Sequence, residues 1–295
     1  MRILLFRTCV GVLLFATLLL SPPGHVAPAL FKVEKNNISS YLLGTVHVGT
    51  PKMKGLPQYI TQAIDSSKQV VVEVDLTKLS PRQVQKRSAP FMQLPTDKTL
   101  ASETSKKTYQ TLKNYFANLG IDIAIFNQHR PWAVMVSMLQ LEYQKLGFSE
   151  QYGIDKQVLA YSKKTNKQVI SLETLEQQLA MLSSLEQLGD EMFSETFEHL
   201  QDVEYYFLDL VEAWTTGDMD KLAKYYRLSF DDSKYGQYSE QVMLIDRNNQ
   251  WIKTLKPLLL EHATFIAVGA LHLPEQHGLI SQLEQQGFSV TRISE

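Results

Sequence analysis

Hydrophobic and polar positions follow two different periods along this chain. Towards both ends, short apolar runs stand between turn residues: residues 41–47 (Y-L-L-G-T-V-H), 69–76 (Q-V-V-V-E-V-D-L), 265–268 (F-I-A-V) and 288–293. Brief runs rich in β-branched and large apolar side chains, bounded by Gly or Pro, are the pattern of buried strands. In residues 69–76 an extended backbone points Val70, Val72 and Val74 one way and Val71, Glu73 and Asp75 the other. That reading sets a carboxylate near the middle of an otherwise apolar strand. Residues 31–39 are more polar and read as a short edge strand, and residues 168–172 as a further short one.

From about residue 78 to 262 the period becomes helical. Helices are expected over residues 81–87 and 102–119, and from Arg130-Pro131-Trp132 through Val136, Leu139, Tyr143 and Leu146 to a stop at Gly147. Another follows Gly153-Ile154-Asp155 to about Lys164. Leu175, Leu179, Leu182 and Leu185 line one helical face, and Phe193, Phe197, Leu200, Phe207, Leu210 and Trp214 another, up to Gly217. A long helix over residues 239–261 carries Leu244, Arg247, Trp251, Leu255 and Leu258, with Pro257 expected to kink it. Pro57 opens a helix to Lys68, and one more is expected near residues 279–286. The fold class is therefore α/β: a mixed central sheet built from both chain ends, within one domain over residues 30–295 whose helical middle forms a layer or insertion.

One pattern occurs twice. Residues 41–49 read Y-L-L-G-T-V-H-V-G and residues 265–274 read F-I-A-V-G-A-L-H-L-P. Each is an apolar strand, then Gly, two residues, and a histidine, with a turn residue soon after. His47 and His272 thus emerge where buried strands leave the sheet, and ligands collect at such edges of open α/β sheets. Two histidines and the Glu73 carboxylate are the ingredients of a divalent metal site with an open position, and Glu73 is either a ligand or a general base. Imidazole suits several divalent ions, so Mn, Co and Zn are not distinguished. Arg247 interrupts an apolar, aromatic stripe and is the expected charge partner of a buried carboxylate. Asp155 reads as a helix cap and Glu173 as a residue of the next helix's first turn.

Composition narrows the rest. The chain has 295 residues with 44% hydrophobic and 20% charged residues, ordinary for a globular protein. A net charge of −2 gives no basic footprint, so nucleic acid is not an expected partner. Arg2 and Arg7 precede an apolar run over residues 8–20 that is short for a membrane span, followed by Pro22-Pro23-Gly24 and the small-x-small triplet Ala27-Pro28-Ala29. This is the anatomy of a secretory signal peptide over residues 1–29, and the expected location is periplasmic or otherwise extracytoplasmic. Membrane association through an uncleaved N-terminus is the alternative. The single cysteine, Cys9, lies in that leader, so neither disulfides nor a cysteine nucleophile are expected in the mature protein.

G-x-S-x-G, the Walker loop, G-x-G-x-x-G and H-E-x-x-H are all missing from the sequence. Residues 272–277 (H-L-P-E-Q-H) are one residue too long for an inverted zinc-protease motif, and Pro274 disfavours its helix, so His277 is expected to be peripheral. Six blocks in order resemble the TraB/PrgY/GumN family, which includes the Tiki membrane-associated metalloproteases: G-T-V-H, V-V-V-E-V-D, G-I-D, S-L-E-T-L-E-Q-Q-L, D-R-N-N-Q-W, and V-G-A-L-H-L-P with the following G-L-I and G-F-S-V. The resemblance spans roughly residues 41–293. It implies a fold related to the erythromycin-esterase and haem-iron-binding lipoprotein group, and an active site made by His47, Glu73 and His272, with Arg247 in the R-N block. Glu275-Gln276-His277 departs from the small or acidic residues usual there. The expected function is an exported, metal-dependent, peptidase-like hydrolase acting on a peptide or protein. A non-enzymatic binder of a metal, haem or peptide at the same residues is the alternative.

Overall fold

A computed structural model describes residues 27–293. The expected leader, apart from its last three residues, lies outside the described residues. Those three are packed: the Ala27 N–H donates to the Thr215 carbonyl at 2.7 Å, the Pro28 carbonyl accepts from the Tyr59 hydroxyl at 2.7 Å, and Ala29 is buried.

The strands are β1 (Leu30–Lys35), β2 (Ile38–Thr45), β3 (Gln69–Val72), β4 (Gln168–Ser171), β5 (Thr264–Gly269) and β6 (Ser289–Arg292). They form one sheet in the order β4-β3-β5-β2-β1-β6. β2, β5, β3 and β4 are mutually parallel, and β1 runs antiparallel to both β2 and β6. Helices of the strand-rich parts are α1 (Gln58–Ser66), α11 (Asp246–Glu261) and α12 (Leu279–Gln285). Between them lie α2 (Pro81–Met92), α3 (Lys106–Asn118), α4 (Pro131–Lys145), α5 (Ile154–Lys164), α6 (Leu175–Ser184), α7 (Gly189–Gln201), α8 (Val203–Thr216), α9 (Met219–Ser229) and α10 (Lys234–Glu240).

The period-2 pattern of the strands explains the layering. Val70 and Val72 of β3 share a core with Leu43, Phe265 and Ala267, covered by α1, α5 and α8. Val71 points to the other face with Leu42, Ile266 and Val268, covered by Trp251, Leu255 and Leu259 of α11 and by α12. A strand buried on both faces, such as β5, reads as an unbroken apolar run. A third core, with Leu112, Phe116, Trp132, Met138, Leu179 and Phe193, belongs to the helical middle of the chain. Among the described residues, no helix is long and apolar enough to cross a membrane.

The structure departs from the sequence expectation at several points. Residues 31–39 are not one edge strand: Asn36 and Asn37 take φ of 52° and 64°, a hairpin turn that ends β1 and starts β2. β1 is then interior, and β4 and β6 are the edges. The β3 ladder stops at Val72, so Glu73 stands just beyond the strand rather than at its middle. β4 comes from the middle of the chain, so the sheet is not drawn from the two ends alone. Finally, residues 239–261 are not one regular helix. α10 is followed by a π-helical stretch, Gln241–Ile245, and α11 then continues through Pro257 to Glu261.

Candidate functional site

Four parallel strands end at one edge of the sheet, and each delivers a candidate side chain there. His47 follows β2, Glu73 follows β3, Glu173 follows β4 and His272 follows β5. Arg247 joins them from the first turn of α11, directly after the π-helical stretch. Such stretches are frequent at functional sites, where the extra residue re-aims the side chains around it.

The two repeat glycines permit this convergence. A Cβ on Gly44 would lie 2.9 Å from the Ala270 Cα, so the first G-x-x-H unit packs directly on the second. A Cβ on Gly269 would lie 3.2 Å from Glu73 Oε1, 3.4 Å from His272 Cδ2 and 4.0 Å from His47 Nε2. The loop bearing His47 is sewn to the start of α5. Gly49 and Ser149 exchange backbone hydrogen bonds of 3.0 and 2.8 Å, and the Ile154 N–H donates to the Val46 carbonyl at 2.9 Å. This leaves Asp155 Oδ2 3.6 Å from His47 Nδ1.

Glu73 is buried but fully partnered. Its Oε1 accepts from the Gly269 N–H at 2.7 Å, and its Oε2 from Gln178 at 3.0 Å and Arg247 at 2.5 Å. Arg247 spends all five of its donors inside the protein. Nε bonds Glu173 at 2.8 Å, and Nη2 bonds Glu73 and, at 3.1 Å, Glu173. Nη1 bonds the Met243 carbonyl at 3.1 Å and His272 Nε2 at 3.0 Å. An arginine only donates, so His272 Nε2 accepts, and its Nδ1–H donates to Asn248 Oδ1 at 2.7 Å. Asn248 is oriented in turn, since its amide donates to the carbonyls of His272 and His277. Trp251 donates to Glu173 at 2.9 Å and packs its ring 4.4 Å from that of His272.

These surroundings set the charges. Burial alone would raise the Glu73 carboxyl. The charges of Arg247 and His47 around it, with the Gly269 N–H, reverse that and take it down to about 2. Burial drives His272 down to about 3 against the pull of Glu73, with Arg247 and His47 adding to the effect, so its imidazole is neutral at physiological pH. His47 is raised to about 9, first by Asp155 and then by Glu73. It is also the accessible member: its side chain is 65% exposed, against 11% for Arg247 and 9% for Glu73.

His47, Glu73 and Arg247 form the floor of a cleft of 520 Å³, walled by Val136, Leu139 and Tyr143 of α4, Met181 and Leu182 of α6, and Met243. All four residues singled out in the sequence (His47, Glu73, Arg247 and His272) thus meet at one sheet edge. Sequence reasoning did not assign Glu173, Asp155, Asn248, Gln178 and Trp251 to the site. Asp155 and Glu173 carried a signal, standing at helix starts on the same strand edge, and Asn248 adjoins Arg247.

An ion held jointly by His47, Glu73 and His272 does not fit these positions. His272 Nε2 faces the Arg247 guanidinium and Nδ1 faces Asn248, so the imidazole has no lone pair left for a metal. Among the described residues, no group of three or more His, Cys, Asp or Glu side chains is placed to hold one. Of His47, Glu73 and His272, only Glu73 Oε1 and, once deprotonated, His47 Nε2 keep acceptor capacity. His277 stays outside the cluster, its ring beside Gln276.

Known proteins resemble the chain along most of its length. The uncharacterized protein YbaP of Shigella flexneri is 28% identical over 246 residues, 83% of this chain and 88% of that protein. YbaP of Escherichia coli (strain K12) is 27% identical with the same coverage. No solved structure matches. The TraB/PrgY/gumN family matches over residues 29–292, and the chain belongs to that family.

Proposed function

We propose that the chain is an exported, peptidase-like hydrolase whose chemistry takes place at the carboxyl edge of the sheet. The observation that carries this reading is the contrast within one cluster: His47 stands open in the cleft while Glu73, His272 and Arg247 are locked behind it. A general base must reach the proton it takes, and only His47 meets that condition. In this reading His47, oriented by Asp155, removes a proton from water attacking a peptide carbonyl. Glu73 and Asp155 stabilise the imidazolium that results, and His47 then returns the proton to the leaving amine. Arg247 is a positioning residue that holds Glu73 ionised. The kinship with the erythromycin-esterase and haem-iron-binding lipoprotein group is proposed on the same ground, the delivery of site residues by neighbouring parallel strands. Export rests on the Arg-flanked apolar leader.

A second reading keeps the divalent ion. It is favoured by the approach of His47 Nε2 and Glu73 Oε1 to one point beside Gly269. His47 and Glu73 would hold the ion, and bound ion would supply Lewis-acid polarisation of the carbonyl. Elemental analysis of protein purified without chelator, followed by cleavage of a peptide library with and without chelator, separates the two. Cleavage without stoichiometric metal supports the first reading. Stoichiometric Mn, Co or Zn with chelator-sensitive cleavage supports the second. No cleavage under any condition overturns both in favour of a binding protein.

A further inference from the structure

We infer that the cleft selects a neutral peptide carrying a large apolar side chain beside the bond held over His47. This inference rests on the hydrolase reading for its substrate class. The wall facing the floor carries an apolar band, Val136 and Leu139 from α4, Met181 and Leu182 from α6, and Met243 from the π-helical stretch, with Gln140 and Gln178 on the same two helices. None of the five is fully buried, and Val136 is left 37% exposed. A face of this kind beside a polar floor suits a ligand with a polar main chain and an apolar side chain. Two methionines let the wall adjust to shape.

Charge on the ligand is unmatched here. Arg247 has no donor to offer an anion, since two glutamates, His272 and a backbone carbonyl take all five. Lys156 at the cleft is paired with Glu150 at 2.8 Å, and the positive charge of protonated His47 is already faced by Asp155 and Glu73. A carboxylate side chain would also face Glu73 and Asp155. A cationic side chain placed on the α4–α6 wall would lose water with no acceptor among those five side chains. In an apolar pocket even one methylene is worth roughly 10–200-fold.

The test uses acetylated tetrapeptide amides Ala-Ala-Xaa-Ala with Xaa as Leu, Phe, Asp or Lys. Binding to the full chain is measured by calorimetry or competition, and turnover in parallel. The expected result is at least tenfold tighter binding of Leu and Phe peptides than of Asp and Lys peptides. Leu139→Asp should abolish that preference and improve the Lys peptide, with Met181→Ala, a milder change, shifting preference from Leu towards Phe. Circular dichroism melts confirm that each variant is folded. Equal binding of all four peptides, or a preference unchanged in both variants, overturns the inference. Selective binding without turnover overturns the hydrolase reading and leaves the apolar preference standing.

Discussion

At the residue scale, the cluster behaves as one polar unit, and its parts have separable duties. Arg247 neutralises two buried carboxylates, so its loss strands charge inside the protein. Arg247→Met should therefore lower unfolding stability by about 3–5 kcal/mol, read by denaturant titration. A loss below roughly 0.5 kcal/mol, the usual size for a surface site, would mean that the arginine is peripheral. His47 has a different duty, visible in pH. Its raised pKa keeps it protonated at neutral pH, and a base must be neutral, so kcat/KM should rise with pH until near 9. Asp155→Asn removes the first cause of that elevation, so the rising limb should move towards the ordinary value near 6.5. A limb that stays in place would show that Asp155 does not act on His47. Glu73 gives a third handle. Its folded pKa lies below the usual 4.5, so its contribution is present above 4.5 and lost as pH falls towards 2. Wild-type stability should fall through that window, and Glu73→Gln should flatten the slope. An identical acid limb in the variant would mean that Glu73 is not held ionised by its neighbours.

At the scale of elements, the sequence announced the strands that carry the site because their burial leaves apolar runs between glycines. His47 and His272 were legible from the doubled strand-Gly-x-x-His unit, and Glu73 from its place among valines. The partners were harder to see. Asp155 and Glu173 look like ordinary helix-start acids, and only the parallel pairing of β4 with β3 brings Glu173 back to the edge. The π-helical stretch ahead of Arg247 was invisible, since a one-residue insertion leaves the apolar spacing almost unchanged. The role of Gly153 also appears only in three dimensions. A Cβ there would lie 2.5 Å from the His47 carbonyl oxygen, a backbone atom that cannot swing away. Gly153→Ala should therefore cut activity at least tenfold by displacing His47 and its loop, with Gly189→Ala, where a Cβ meets nothing within 4 Å, as the control. Equal activity in the two variants would contradict the stitched loop.

At the scale of the whole molecule, the sheet and the helical middle divide the work. Parallel strands supply the polar floor, whose register is fixed by backbone ladders, while α4 and α6 supply the apolar wall from a separate core. The mixed sheet was foreseen in class but not in detail. β4 is borrowed from the middle of the chain, which is how the helical region is tied to the edge where it forms the cleft. The account's central claim is that His47 is the proton acceptor of a peptide-cleaving site held ready by Glu73, His272 and Arg247. Its most direct test is the cleavage rate of a peptide library by wild type and by His47→Gln, with both melting temperatures recorded. The account predicts cleavage by wild type and a loss on the order of 10²–10⁴ in the variant, with the variant still fully folded at the assay temperature because His47 lies outside the core. Equal cleavage by both proteins, or a loss that follows the melting temperature alone, would contradict it.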